Sequence, residues 1–202
     1  MSKVVQIHSQ IAKSWVWSSG KVISEQSVNV DYKEPALLPS RWYYWQVRIW
    51  DNKGKLSEWS TPAWWETALV DHTKCQAEWI VAPGKSGEEH RPSYFGKEFA
   101  CGKKVLSARL YINSLGLYQV FVNSNKVAND LFTSGWTSYN KRLLCQTYNI
   151  TNLLKAENAV GAIVGDGWYR GNIGGEVQWN YYGDQMALLA QVDFFFRTEQ
   201  KK

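Results

Sequence analysis

Trp42-Tyr43-Tyr44-Trp45-Gln46-Val47-Arg48-Ile49-Trp50 is a run of strongly β-prone residues. In an extended chain Tyr43, Trp45, Val47 and Ile49 fall on one face, and Tyr44, Gln46, Arg48 and Trp50 on the other. Strand side chains alternate with period two, and aromatic and β-branched residues suit a pleated, half-buried surface. The run therefore predicts a strand that contributes to a core. Asp51-Asn52-Lys53-Gly54 follows as a turn, with Gly54 available for a positive φ. Lys55 to Ser60 is expected to return as the partner strand, and Ala63 to Thr67 to extend that edge.

Upstream, Ser18-Ser19-Gly20 reads as a turn before a strand from Val22 to Val30, and Pro35 and Pro39 punctuate the connection. The recognisable pattern starts near residue 14, so a first module over 1–70 is expected to lack strands at its start. Short strands with turns every 8–12 residues or so are the pattern of a sandwich. Ala68 to Cys75, polar through Asp71-His72-Thr73-Lys74, reads as a connector. Beyond it, Pro83 to Glu89 is a loop. Strands are predicted at Tyr94 to Ala100, Ala108 to Ser114, Gly116 to Asn123, Asn158 to Val164 and Met186 to Phe196, making a second module over 76–202. Tyr118, Val120 and Val122 should face inward, and Asn123-Ser124-Asn125-Lys126 should close a hairpin. Thr151 to Lys155 suits one helical turn capped by Thr151 or Asn149. No long 3.6-residue apolar period is present, so the fold class is all-β.

The net charge of +5 does not point to nucleic acid, because lysines and arginines are scattered and cluster only at Lys103-Lys104, Lys141-Arg142 and Lys201-Lys202. The longest apolar runs, such as Phe194 to Phe196, are too short to span a bilayer, so no membrane partner is expected. Cys75, Cys101 and Cys145 lack metal or redox spacing, and the three histidines form no ligand cluster. The unusual feature is 12 Trp with 11 Tyr, which fill cores but also offer flat faces to sugar rings.

Two longer segments are specific. Val127-Ala128-Asn129-Asp130-Leu131-Phe132-Thr133-Ser134-Gly135-Trp136-Thr137-Ser138-Tyr139-Asn140-Lys141-Arg142 is one. Asn158-Ala159-Val160-Gly161-Ala162-Ile163-Val164-Gly165-Asp166-Gly167-Trp168-Tyr169-Arg170-Gly171 is the other. With Gln146 to Leu154 they resemble the N-terminal domain of bacterial α-L-rhamnosidases, a jelly-roll, carbohydrate-binding-like module. Tyr43 to Asp51 and Ser57-Glu58-Trp59-Ser60 resemble the fibronectin-III-like module placed before it. The resemblance implies a partial fibronectin-III-like sandwich followed by a jelly-roll that stops before its last strands. It also implies that catalysis belongs to a helical toroid of α-hairpins that this sequence does not contain. The chain would then be a non-catalytic accessory part of a glycoside hydrolase acting on terminal α-L-rhamnosides. Its partners would be rhamnose-containing glycans and the catalytic domain.

A pyranose is held by stacking on an aromatic face and by hydrogen bonds to its hydroxyls. The candidates with those chemistries are Asn129, Asp130, Trp136, Asp166, Trp168, Tyr169 and Arg170, with Trp179-Asn180-Tyr181-Tyr182 as a further aromatic loop. The resemblance implies that Asn129 and Asp130 contact rhamnose together with calcium, a cation that takes oxygen ligands. The structural alternative makes Asp166 a cap on backbone amides in a tight Gly165-Asp166-Gly167 loop. It makes Trp136 and Trp168 packing residues, or docking residues for the catalytic domain. A phosphate cradle at Gly165-x-Gly167 is excluded by its incomplete glycine spacing and the missing Lys-Ser/Thr. Glycoside hydrolysis needs two carboxyl groups flanking the bond. Asp130, Asp166, Glu176 and Asp184 are available, but the resemblance places the working acids elsewhere.

Overall fold

The computed structural model describes residues 3–11, 14–24, 31–32, 36–69, 75–83, 90–102, 104–175 and 178–196, which fall into two units, 1–75 and 76–202. Residues 25–30 of the expected early strand, Pro35, the 70–74 connector, the 84–89 loop and Glu176 lie outside the described residues.

Among the described residues the first unit forms one antiparallel sheet. It contains β1 (Lys3–Ile11), β2 (Ser14–Ser18), β3 (Val22–Ser24), β4 (Trp42–Trp50) and β5 (Ala63–Glu66), ordered β2-β1-β4-β5 with β3 also paired to β1. The module thus begins earlier than its sequence pattern. β1 pairs with β4 from Val4↔Trp50 to Gln10↔Tyr44, although Gln6, His8, Ser9 and Gln10 dilute its hydrophobic signal. β4 lies where the alternation predicts it, but the core reading of its Tyr43 face is corrected. Tyr43 is 1% exposed, whereas Trp45 and Ile49 on the same face are 37% and 45% exposed. Ring contacts, rather than full burial, satisfy many of these aromatics. Trp42 stacks on Trp64 and Tyr43 on Trp65, each with centroids 4.9 Å apart. The Arg48 guanidinium lies 4.4 Å from the Trp59 ring centre and 5.4 Å from that of Trp50. Aromatic pairing and cation–π contacts stabilise a sheet surface without removing it from water.

Lys55 to Ser60 is not a regular strand; its only bridge to β4 among the described residues is Trp50↔Leu56. Serine hydroxyls replace carbonyls along this side. Ser57 Oγ accepts the Ile49 N–H and Ser60 Oγ the Val47 N–H, both at 3.0 Å, while the two serine N–H groups donate to Ile49 O and Val47 O. The segment therefore satisfies β4 without strand geometry.

Among the described residues the second unit is a sandwich of two four-stranded antiparallel sheets. The first sheet holds β7 (Ser93–Ala100), β9 (Leu117–Val122), β10 (Asn125–Lys126) and β12 (Glu157–Gly165), ordered β10-β9-β12-β7. The second holds β6 (Ile80–Val81), β8 (Val105–Leu115), β11 (Gln146–Asn149) and β13 (Ala187–Phe196), ordered β11-β8-β13-β6. Leu110 and Ile112 from one sheet meet Val120, Val122 and Val164 from the other, with Tyr118 among them. That is the inward face read from the sequence. The hairpin at Asn123-Ser124 forms with positive φ at both residues. β11 escaped the hydrophobic pattern because only Tyr148 in Gln146-Thr147-Tyr148-Asn149 is apolar. The expected single turn is a 3-10 turn at Thr151–Leu153. Asn149 Oδ1 accepts from Thr151 N and Oγ1, while Thr151 Oγ1 accepts the Ala108 N–H and ties the turn to β8.

Gly116 alone carries the chain from β8 in one sheet to β9 in the other. Its φ is +139°, and a Cβ there would collide with the Gly165 carbonyl oxygen. A side chain is therefore excluded both by conformation and by space. Between the sheets on the β7 and β13 side lies an apolar cleft of about 590 Å³, lined by residues including Phe95, Phe99, Leu188, Val192 and Phe194. Among the described residues β6 pairs only with Ala187 and Leu188, so the backbone ladder of the rest of β13 runs to β8, while Gln191 Oε1 accepts the Gln76 N–H at 2.7 Å.

Candidate functional site

The segment from Val127 to Cys145 leaves β10 and returns as β11. It is pinned at its middle. Thr133 and Ser134 are buried, with Thr133 Oγ1 donating to Tyr118 O at 2.6 Å and Tyr118 N donating to Thr133 O at 2.7 Å. Ser134 Oγ donates to Asn113 Oδ1, and Gln146 Nε2 donates to Ser134 O. Small hydroxyl residues can be buried here because every such group has a partner. The residues around the pin are turned out: Leu131, Phe132 and Trp136 are 72%, 66% and 55% exposed.

Asn129 and Asp130 are exposed on the approach to the pin. Tyr148 Oη donates to Asp130 Oδ2 at 2.9 Å. Behind it, Tyr118 Oη is 3.4 Å from Tyr148 Oη and donates to Gln146 Oε1 at 3.1 Å. Burial pushes both phenols above their ordinary range, with the neighbouring Asp130 charge adding to the shift. Both therefore remain protonated donors at neutral pH.

Trp136 rests on Trp168, with ring planes 6° apart and centroids 5.7 Å apart. Phe132 lies tilted against Trp168 at 5.8 Å, and Trp136 Nε1 donates to Tyr182 Oη at 3.4 Å. Trp168 sits in α1 (Gly167–Arg170), a single turn absent from the sequence reading. Gly167 has φ +50°, and a Cβ there would strike the Leu117 side chain. This close approach seats the start of α1 against Leu117, the first residue of β9.

The other candidates form framework. Asp166 does not cap backbone amides, correcting the tight-loop expectation. Its Oδ1 accepts from Arg170 Nε at 2.5 Å, and its Oδ2 lies 2.7 Å from His90 Nδ1. The reason is geometric: α1 brings the Arg170 side chain back over Asp166, and the guanidinium competes better for a carboxylate than a neutral amide does. Arg170 is 5% exposed. Tyr169 packs edge-on against Tyr139 at 5.3 Å and abuts Gly183. Its hydroxyl is pushed up by burial, then by Asp184. His90 stacks on Trp179 at 3.8 Å.

The structure thus places Asn129, Asp130 and Trp136 on one exposed loop with Trp168 behind Trp136, and Asp166, Tyr169 and Arg170 inside the support. The sequence reading missed Tyr148, Tyr118, Gln146, Phe132 and His90. The i, i+2 relation of Gln146 and Tyr148 within a strand was the available signal for two of them. Among the described residues no three His, Cys, Asp or Glu side chains gather into a metal-binding group. Asn129 and Asp130 could give calcium two side-chain oxygens; the rest of its usual six to eight would have to come from backbone carbonyls, water or ligand. No helix among the described residues is long and apolar enough to cross a membrane.

This geometry defines a class: tandem antiparallel β-modules, the second a two-sheet sandwich presenting a pinned aromatic loop. Residues 3–71 match the family model of the Rha78A-like, N-terminal immunoglobulin domain, and residues 103–202 match that of the alpha-L-rhamnosidase N-terminal domain. The chain belongs to the N-terminal region of the α-L-rhamnosidase family. An alpha-L-rhamnosidase of Formosa agariphila is 34% identical over 199 residues, 92% of this chain and 21% of that protein. One from an Alteromonas species is 36% identical, covering 89% of this chain and 20% of its own length. The crystal structure of native α-L-rhamnosidase from Aspergillus terreus superimposes with a TM-score of 0.85 at 32% identity, covering 95% of this chain and 23% of that one. The chain spans about a fifth of the length of the curated relatives it matches.

Proposed function

We propose that this chain is a non-catalytic saccharide-binding region of a glycosidase that acts on terminal α-L-rhamnosides. The observation that carries the reading is the exposed Trp136 ring, backed by Trp168, on the same pinned loop as the tethered Asp130 carboxylate. The C–H face of a pyranose would lie on Trp136, while Asp130 and Asn129 would accept and donate hydrogen bonds to its hydroxyls. One stack and a few exposed hydrogen bonds support an affinity of about millimolar. Calcium, if it takes part, would sit at Asn129 and Asp130 and share the sugar hydroxyls as ligands.

Calorimetric titration with L-rhamnose, with calcium and with EDTA, tests this reading. Binding that is weakened by Asp130→Ala and by Trp136→Ala supports it; absence of heat and of any tryptophan fluorescence change refutes it. The non-catalytic part is tested separately with p-nitrophenyl α-L-rhamnoside. Release of p-nitrophenol by the pure chain above background would overturn it. A second reading, docking of the same loop against the catalytic part of the enzyme, is favoured by the apolar Leu131 and Phe132 beside the pin. Under that reading Leu131→Ser with Phe132→Ser would weaken association with the catalytic part and leave rhamnose titrations silent.

A further inference from the structure

We propose that Tyr148 is a positioning residue that sets the Asp130 carboxylate for its ligand, an inference that rests on the saccharide reading above. An exposed aspartate on a loop samples several rotamers, and a ligand that needs one of them loses affinity in proportion. Here one carboxylate oxygen is taken: Tyr148 Oη donates to Asp130 Oδ2 at 2.9 Å. The other, Oδ1, has no partner among the described residues and is left to accept from a sugar hydroxyl. The donor is itself held. Tyr148 lies on β11, paired to β8 from Gln146↔Ile112 to Asn149↔Arg109, and its ring packs against the sandwich core. Tyr118 Oη stands 3.4 Å behind its hydroxyl. Two residues earlier on the same strand face, Gln146 holds Ser134 O at the loop's pin. A single rigid strand therefore fixes both the loop and its carboxylate, as expected of a pre-organised site.

The experiment is an L-rhamnose titration of the full chain, followed by the Trp136 Nε1–H resonance, for wild type, Tyr148→Phe, Asp130→Ala and the double variant. Tyr148→Phe keeps the ring and removes only the donor. Kd is expected to rise about tenfold in Tyr148→Phe, as for loss of one hydrogen bond to a charged group. In the Asp130→Ala background the same change should alter Kd less than twofold, because the group it acts through is gone. No shift in wild type would refute the saccharide reading itself. Wild-type binding with Tyr148→Phe within twofold would overturn the role of Tyr148. A tenfold loss in both backgrounds would also overturn it, by showing a general structural effect. If Asp130→Ala abolishes the shift, the twofold criterion on Tyr148→Phe alone decides.

Discussion

Trp136 and Trp168 lie nearly parallel, 6° apart, so the exposed ring is seated on the half-buried one. Removing the seat should disturb the platform without removing any group that the sugar touches. Trp168→Ala is expected to leave the fold intact and weaken L-rhamnose binding several-fold, with a change in Trp136 fluorescence. Unchanged binding would show that Trp136 holds its orientation unaided.

Asp166 and Arg170 behave differently from the exposed loop. Arg170 is buried and Asp166 takes both Arg170 and His90. Arg170→Ala leaves a largely buried carboxylate with His90 as its remaining partner and should cost about 3 kcal/mol of stability. Chemical denaturation would measure the loss. A change below about 0.5 kcal/mol would mark the pair as a surface ornament.

Alkaline stability follows from the phenols. Tyr118 is pushed well above its ordinary value, first by burial, and Tyr139 is pushed up to about 12, also first by burial. A phenol whose folded-state value is raised favours the folded state while it is neutral. Its contribution is fully present below pH about 10, where the unfolded chain's tyrosines begin to ionise, and falls as pH rises through the folded value. For Tyr139 that window runs from about 10 to about 12. Melting temperature should therefore decline steeply above pH 10, and Tyr139→Phe should shallow that slope. A flat profile to pH 11.5 would contradict the burial of both groups.

Gly116→Ala tests the one-residue passage between the sheets. A methyl group there meets the Gly165 carbonyl oxygen at a backbone angle that L-residues rarely take. The expected cost is on the order of 3 kcal/mol, read as a lowered melting temperature. Gly174→Ala, also at positive φ but with nothing near its Cβ, should cost less.

The one-sided backbone ladder of β13 beyond β6 and the adjoining apolar cleft should favour association at high concentration. Sedimentation velocity across a concentration series is expected to show it, and Phe196→Lys at the edge should reduce it. A monomer at all concentrations would show that the edge is protected.

The strands were legible wherever hydrophobic alternation carried them. Tyr118, Val120 and Val122 point inward as their spacing required, because the opposite sheet removes that face from water. β1 and β11 were not legible, since both are polar along much of their length and owe their form to neighbours distant in sequence. Lys55 to Ser60 misled for another reason: it runs back beside β4 as expected, but serine hydroxyls take the place of a regular ladder. At the candidate site, residue chemistry put forward Asp130 and Trp136, which the structure leaves exposed. It did not separate them from Asp166 and Arg170, whose mutual contact depends on a four-residue helical turn with no periodic signal.

The handover at Gly116 has a kinetic corollary. Since β8 and β9 belong to opposite sheets, neither finds its main partner next door: β8 must wait for β13, about 80 residues later, which raises contact order and slows folding. During synthesis the β10-β9-β12-β7 sheet can pair before β13 emerges, while β8 holds only β11 until β13 clears the ribosome.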